Sequence, residues 1–338
     1  MAAWMRRDTA ASTDPRWVAR AGDGWQCLLC PRRCVWNERT PLGRCRVRGL
    51  SGGGPSLPGW GRCVGISTDP IEKKPLYHFH PGTAVLSTGP AGCNLSCSFC
   101  QNWEISQQES PTRLVAPADL ARAAVSGGSS GLAFTYTEPV VWLEYIVETA
   151  PLVRRDGGFV VMVSNGYVEE GPLDELLAVT DAWNVDLKGW RESFYRGLCG
   201  GSLEPVLRSI ERIAGSGRHL EVTYLLIPGE NDDPADWPGM ASWLSDHAGR
   251  GTPLHISRYF PRYRMDSPPT PPDTIRRAVD AFSEKLDFVY PGNLGGECDT
   301  LCPDCGTVLI ERAGYSVRIV SISSGRCMKC GRDVGIVT

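Results

Sequence analysis

The rhythm of apolar and polar positions along this chain changes at about Thr83. Before that point cysteine, arginine, glycine and tryptophan recur without a sustained period. After it, short runs that are apolar on both faces alternate with longer stretches of helical spacing. The short runs are Thr83–Ser87, Leu132–Tyr136, Phe159–Ser164, Trp183–Leu187, Leu220–Ile227 and Leu254–Tyr259. They are rich in β-branched and aromatic residues, as strands buried on both faces are. Pro117–Ser126, Val140–Arg155, Leu173–Val179, Leu203–Ser216, Asp236–His247 and Asp273–Lys285 read as helices, several of them opened by proline or an acid. Six strand–helix units in a row predict an α/β fold with a parallel sheet, and Phe288–Tyr290 is a candidate seventh strand.

Polar residues collect where each strand ends. A cysteine loop follows the first strand, Thr137-Glu138-Pro139 the second and Asn165-Gly166 the third. Asp186 and Lys188 end the fourth, Pro228-Gly229-Glu230-Asn231-Asp232 follows the fifth, and His255, Arg258 and Tyr259 mark the sixth. In a parallel barrel the active site forms at the carboxyl ends of the strands. Six segments obeying one rule point to one site. Asn231, Asp232, Arg258 and Tyr259 are candidate substrate-side residues there.

Two cysteine-bearing flanks surround this core. The reading divides the chain into a leader (1–24), a four-cysteine module (25–60), the core (61–292) and a C-terminal C-x2-C…C-x2-C module (293–338). The first module closes in GLSGGGPSLPG, which reads as a flexible linker. Twelve of the 14 cysteines fall into three groups, and Cys63 and Cys199 stand alone. Without a secretory h-region, paired C-x2-C spacing points to metal sites in a reducing cytoplasm rather than to disulfides. A net charge of -3 argues against a nucleic-acid partner, and no apolar run reaches membrane-spanning length.

The core's first strand runs into GCNLSCSFCQNW, where Cys93, Cys97 and Cys100 make a C-x3-C-x2-C run. Three thiolates on one tight loop can bind three irons of a cubic [4Fe–4S] cluster and leave the fourth open to another ligand. The competing assignment is a zinc knuckle, although zinc sites draw four ligands from paired arms.

This spacing is the signature of radical S-adenosylmethionine (SAM) enzymes. The run DPIEKKPLYHFHPGTAVLSTGPAGCNLSCSFCQNWEISQ resembles the AmmeMemoRadiSam-system radical SAM proteins, relatives of the pyruvate formate-lyase activating enzymes. FTYTEP, VSNGY, NVDLKGW, LLIPGEND and the closing CPDCG…ERAGYSV…GRCMKCG carry the same resemblance, as does the opening CLLCPRRC…GRC. It implies a partial (β/α)6 barrel, a SAM-chelated [4Fe–4S] cluster and a 5′-deoxyadenosyl radical that removes hydrogen from a protein, peptide or small molecule.

The resemblance also implies roles for single residues. Phe99 matches the aromatic that packs on the SAM adenine. Glu138 stands where activating enzymes carry GGEP and would accept from the SAM ammonium, although Tyr136-Thr137 replaces the two glycines. Ser164 and Asn165 match a site for the SAM methionine part or a nearby monovalent cation. Asp186 and Lys188 match a D-x-K element that meets ribose or a cation, and the SAM carboxylate. His255 matches a sixth-strand histidine near SAM.

Cys27, Cys30, Cys34 and Cys45 fit either an auxiliary iron–sulfur cluster or zinc. Cys302, Cys305, Cys327 and Cys330 read as a zinc ribbon, with an iron–sulfur cluster as the alternative, and Cys298 as a spare thiol or an alternative ligand. The implied partners are a flavodoxin- or ferredoxin-type reductant and a Memo-like or AMMECR-like protein. A glycyl-radical-enzyme activase is the alternative enzyme. A metal-binding scaffold or redox sensor is the alternative without catalysis.

Overall fold

The computed structural model describes residues 15–296 and 298–338. Residues 1–14 of the expected leader lie outside the described residues. The centre is a nine-stranded sheet with seven consecutive parallel strands. They are β1 (Ala84–Pro90), β2 (Gly131–Phe134), β3 (Phe159–Ser164), β4 (Ala182–Asp186), β5 (His219–Leu226), β6 (Leu254–Arg258) and β7 (Val289–Gly292). Each pairs with the next in chain order. The helices between them are α1 (Pro117–Ala124), α2 (Leu143–Arg155), α3 (Glu170–Val179), α4 (Glu204–Gly215), α5 (Trp237–His247) and α6 (Pro272–Ser283).

The α/β order and the parallel sheet agree with the sequence reading. Val160, Val161 and Met162 on β3 are buried on both faces, as are Val222 and Thr223 on β5. Helix α4 shows how a helix meets this sheet. Val206, Ile210 and Ile213 recur at helical spacing and are fully buried, while Arg208 and Arg212 face outward to acids of the preceding segments.

The sheet carries one long strand that the pattern did not reveal. Arg62–Pro70 runs antiparallel along β1 and pairs in turn with Arg113–Leu114. Most of its residues are not buried, so it lacks the apolar run of its neighbours.

The N-terminal flank begins earlier than residue 25. Val18–Ala21, Gly24–Cys27 and Val35–Trp36 form a three-stranded antiparallel sheet. The stretch read as a linker is a hairpin, Gly49–Ser51 with Gly54–Ser56, turned by Gly52 and Gly53 at positive φ. Three glycines mark flexibility and a tight turn equally well. The module is pinned to α2 by a buried ion pair, Arg48 Nη1 to Glu144 Oε2 at 2.5 Å.

The C-terminal flank is a three-stranded antiparallel sheet of Thr300–Leu301, Val308–Ala313 and Ser316–Ile319, followed by the short pair Ile322–Ser323 and Arg326–Cys327. It packs at the amino ends of the parallel strands. Val317 closes on Gly82 just before β1, and Arg332 reaches Asp287 just before β7 at 2.9 Å.

Candidate functional site

At the opposite, carboxyl ends of the strands lies a cavity of about 290 Å³. Cys93, Cys97 and Cys100 line it together with Phe99, Asn165, Asp186 and Lys188. Residues far apart in sequence thus share one wall, because β1, β3 and β4 all deliver their ends to the same side of the sheet. The cysteine loop is held from outside. Ser96 N and Ser98 N donate to Cys199 O and Leu198 O at 2.8 and 2.9 Å, and Arg32 Nε donates to Asn94 O.

The thiols sit in a setting that opposes their free charged form. Burial pushes the Cys93 thiol well above its ordinary value. The Cys199 thiol beside Cys97, and then burial, do the same there. Buried thiols stay protonated until a metal replaces the protons. Three soft sulfurs on one cavity wall suit iron of an iron–sulfur cluster.

The third-strand end is tied to the first cysteine. Asn165 Nδ2 donates to Asn94 Oδ1 at 2.9 Å and lies 3.6 Å from Cys93 Sγ. Its own Oδ1 accepts from Tyr167 N at 2.8 Å. Behind it, Glu138 caps the turn Pro139–Trp142. Glu138 Oε1 accepts from Ser164 Oγ at 2.8 Å and Val140 N at 3.1 Å, and Oε2 accepts from Asn165 N at 2.7 Å. Burial pushes Glu138 up to about 7 against the pull of these donors. Glu138 and Ser164 therefore back the wall rather than line it.

Lys188 Nζ lies 3.0 Å from Asp186 Oδ2. Burial would lower this lysine, but the charge of the Asp186 carboxylate beside it pulls the other way and the ammonium stays protonated. The pair offers the cavity one firmly protonated donor.

His255 does not line the cavity. It stands beside Thr223 in register, and Ser257, two residues on, takes the wall position. Its Nε2 lies 2.6 Å from Glu221 Oε2, with Tyr77 and Tyr290 packed against its ring. Glu221 also accepts from His78 N at 2.7 Å and meets His219 Nε2 at 3.0 Å. Burial alone would raise Glu221, yet these histidines hold it well below the usual carboxylate range.

The four candidate substrate-side residues also lie off the wall. Asn231 Nδ2 donates to Lys188 O and Leu225 O, both at 2.8 Å, and its Oδ1 accepts from Ile227 N. Asp232 accepts from Gly229 N, Arg258 donates to Thr270 O, and the Tyr259 hydroxyl donates to Met265 O. They shape loops beside the site.

Several wall residues escaped the sequence reading: Gln101, Asn102, Tyr136, Thr223, Ser257 and Asn293. Period-two alternation could have found Thr223 and Ser257, since Asp186 pairs with Thr223, and Leu225 with Ser257. Tyr136 adopts a positive φ of 71°, rare for an aromatic residue. It is held there by Asn102 Nδ2 on its carbonyl at 2.5 Å and by its hydroxyl on Asp69 at 2.9 Å.

The other cysteine groups differ from one another. Cys302, Cys305, Cys327 and Cys330 bring their sulfurs within 4.8 Å of each other, and among the described residues no other set of three or more such ligands is this close. Such a set could hold a metal ion. Cys298 stays outside it, near Arg312 and Tyr77, where burial pushes its thiol up to about 11. Cys27, Cys30, Cys34 and Cys45 line one small cavity on the far side of Asn94.

The comparisons agree with this architecture. Residues 89–237, from the end of β1 to the start of α5, match the model of the Radical SAM superfamily. The uncharacterized protein MJ0808 of Methanocaldococcus jannaschii is 40% identical over 321 residues, covering 92% of this chain and 95% of its own. The benzylsuccinate synthase activating enzyme of Thauera aromatica is 22% identical over 228 residues, covering 65% and 67%. The structure of Streptococcus suis SuiB bound to S-adenosylmethionine superposes with a TM-score of 0.50 at 10% identity, over 60% of this chain and 48% of that one. That likeness concerns the fold alone. The family implies an enzyme with a [4Fe–4S] cluster and SAM, and its matched region holds the three-cysteine wall. This chain belongs to the radical SAM superfamily.

Proposed function

We propose that this protein is a radical SAM enzyme whose cluster is held by Cys93, Cys97 and Cys100, and which abstracts hydrogen from a protein, peptide or small molecule. One observation carries the reading: the three thiols share a single cavity with Asn165, Asp186 and Lys188 at the carboxyl ends of parallel strands. When bound and reduced, the cluster supplies one electron to SAM, releasing methionine and a 5′-deoxyadenosyl radical.

The chain's own residues then have distinct tasks. Asn165 orients Cys93, while Glu138 and Ser164 fix Asn165 from behind. Lys188, kept charged, offers an ammonium to the SAM carboxylate, and Asp186 holds that lysine in place or meets ribose or a monovalent cation. Phe99 offers an apolar face to adenine. His255, locked to Glu221, stiffens the sheet beneath the cavity instead of meeting SAM.

In the same reading the strand–helix units form a partial (β/α)6 barrel. The C-terminal cysteines hold structural zinc, far from the chemistry. The activity is cytoplasmic and draws on a flavodoxin- or ferredoxin-type reductant. The AmmeMemoRadiSam resemblance suggests a Memo-like or AMMECR-like partner. Similarity to the benzylsuccinate synthase activating enzyme supports a glycyl-radical-enzyme activase as the second version.

Electron paramagnetic resonance of the anaerobically reconstituted, dithionite-reduced protein tests the assignment. Addition of SAM is expected to shift the cluster signal in the wild type. A protein holding only zinc, or a signal that ignores SAM, would favour the metal-binding scaffold.

A further inference from the structure

The four N-terminal cysteines face one another. Cys27, Cys30, Cys34 and Cys45 line a single cavity, and Asn94 closes it on the side of the active-site loop. The main-chain N–H groups of Leu29, Arg32 and Val47 lie near Cys27, Cys30 and Cys45 and favour their charged forms against burial. Arg44 N lies 3.5 Å from Cys34 Sγ. The same i to i+2 turn recurs at Cys93, where Leu95 N lies 3.4 Å from the sulfur. Such N–H···S turns mark a metal site without choosing the metal.

Sulfur spacing separates the two flanking sets. A zinc ion with Zn–S near ~2.3 Å needs its four sulfurs about 3.8 Å apart. The C-terminal set meets that demand, with Cys302 to Cys330 at 3.5 Å and Cys305 to Cys327 at 3.7 Å. The N-terminal sulfurs do not close to that degree, and neither do those of Cys93, Cys97 and Cys100. A set that does not close around one ion supports a multi-iron core over a single zinc.

The two open sets share a wall. Asn94 follows Cys93 in sequence and lines the N-terminal cavity, while Cys93 lines the active-site cavity. A Cβ on Gly92 would lie 1.9 Å from Cys45 O, so the two loops touch backbone to backbone. Arg46 Nη2 donates to Ser106 O at 3.0 Å across the same seam.

The module is rich in arginine, and part of that charge is met by the core: Arg48 is buried against Glu144, while Arg16 and Arg33 pair with Glu175 and Glu169. Residues 15–62 carry nine arginines, no lysine and two acids, Asp23 and Glu38, in a protein of net charge -3. Cys34 is half-exposed. Around it in sequence stand Val35 and Leu42, 49% and 50% exposed, and the exposed Arg39 and Arg44. Exposed apolar and basic residues this close to Cys34 in sequence fit an acidic protein partner.

We infer that Cys27, Cys30, Cys34 and Cys45 hold a second iron–sulfur cluster that is the electron entry port, and that its basic face docks an acidic, low-potential one-electron carrier. The carrier loses one electron, the N-terminal cluster gains it, and the active-site cluster then takes it and leaves the N-terminal one oxidised. No covalent bond changes. This inference rests on the proposed active-site cluster.

The test compares anaerobically reconstituted wild type, Cys30→Ala/Cys45→Ala and Cys97→Ala for iron, zinc and reduction by flavodoxin hydroquinone against dithionite. Each variant is expected to keep about half the wild-type iron, as cysteine-ligated clusters are lost with their ligands. In the double variant the ratio of flavodoxin-driven to dithionite-driven reduction should fall about tenfold or more. Arg39→Glu should lower the same ratio about tenfold at low salt, and added salt should erase that difference. If the double variant does not fold, Cys97→Ala answers alone, because its N-terminal module is intact. It should retain iron and still be reduced by flavodoxin. Iron-free Cys97→Ala protein, zinc in place of iron at the N-terminal site, or an unchanged flavodoxin ratio in the double variant would overturn the inference. Failure of the enzyme reading looks different: wild type with dithionite and SAM then yields no 5′-deoxyadenosine, whatever its iron count.

Discussion

The side-chain amide of Asn165 lies 3.6 Å from the sulfur of Cys93, although 72 positions separate the two residues. The contact joins the end of β3 to the loop after β1. It places a neutral hydrogen-bond donor at a sulfur that would carry iron, the kind of outer contact that orients a ligand.

Replacing Asn165 by alanine removes that donor and the side-chain bonds with Asn94 Oδ1 and Tyr167 N, and leaves the backbone bond from Asn165 N to Glu138 intact. The fold should therefore survive. Cluster retention or activity should fall about 10–100-fold, as for other partners of metal ligands. Iron analysis with product assay checks this. Wild-type values for both would remove Asn165 from the site.

Glu138 gives the cofactor-free chain a pH signature. Its folded value is raised to about 7 from 4.5, chiefly by burial. A raised value favours the protonated folded state, so this contribution is fully present below about pH 4.5 and lost as pH rises through 7. The loss is on the order of 3 kcal/mol. Urea melts of the cofactor-free protein between pH 5 and 8 should fall in stability, and Glu138→Gln should flatten that slope. Parallel slopes for the two proteins would refute the assignment.

Arg48 and Glu144 anchor the N-terminal module to α2. Glu144 also accepts from Arg16 N at 2.7 Å, so one buried carboxylate holds two segments of the module. Glu144→Ala leaves Arg48 charged and unpaired, which should cost about 3–5 kcal/mol. Denaturant melts measure it. A loss under about 1 kcal/mol, the size of a surface ion pair, would mean that the anchor is elsewhere.

The C-terminal set predicts a separable metal. Cys327→Ser should remove about one zinc per chain and leave iron and visible absorption unchanged, because four sulfurs within 4.8 Å of one another suit a single ion. Mass spectrometry and metal analysis check this. Loss of iron with the zinc would contradict it.

Much of the fold was legible because strands such as β3 are buried on both faces and read as continuous apolar runs. The cysteine wall was legible because its ligands are local. The layer of each inward residue was not. His255 and Ser257 share a face of β6, but only Ser257 reaches the cavity, and one sequence carries no measure of depth. Arg62–Pro70 was hidden by its exposed, polar character. Glu144 read as an ordinary helix residue, because its partner lies 96 positions away. Cys199 read as a solitary thiol, yet its carbonyl holds Ser96 and its sulfur meets Cys97.

The central claim is that Cys93, Cys97 and Cys100 hold a cluster that cleaves SAM. Quantifying 5′-deoxyadenosine from anaerobic, reconstituted protein with SAM and dithionite tests it most directly. The account predicts 5′-deoxyadenosine from the wild type and none above background from Cys97→Ala. Equal amounts from the two proteins, or none from an iron-replete wild type, would contradict it.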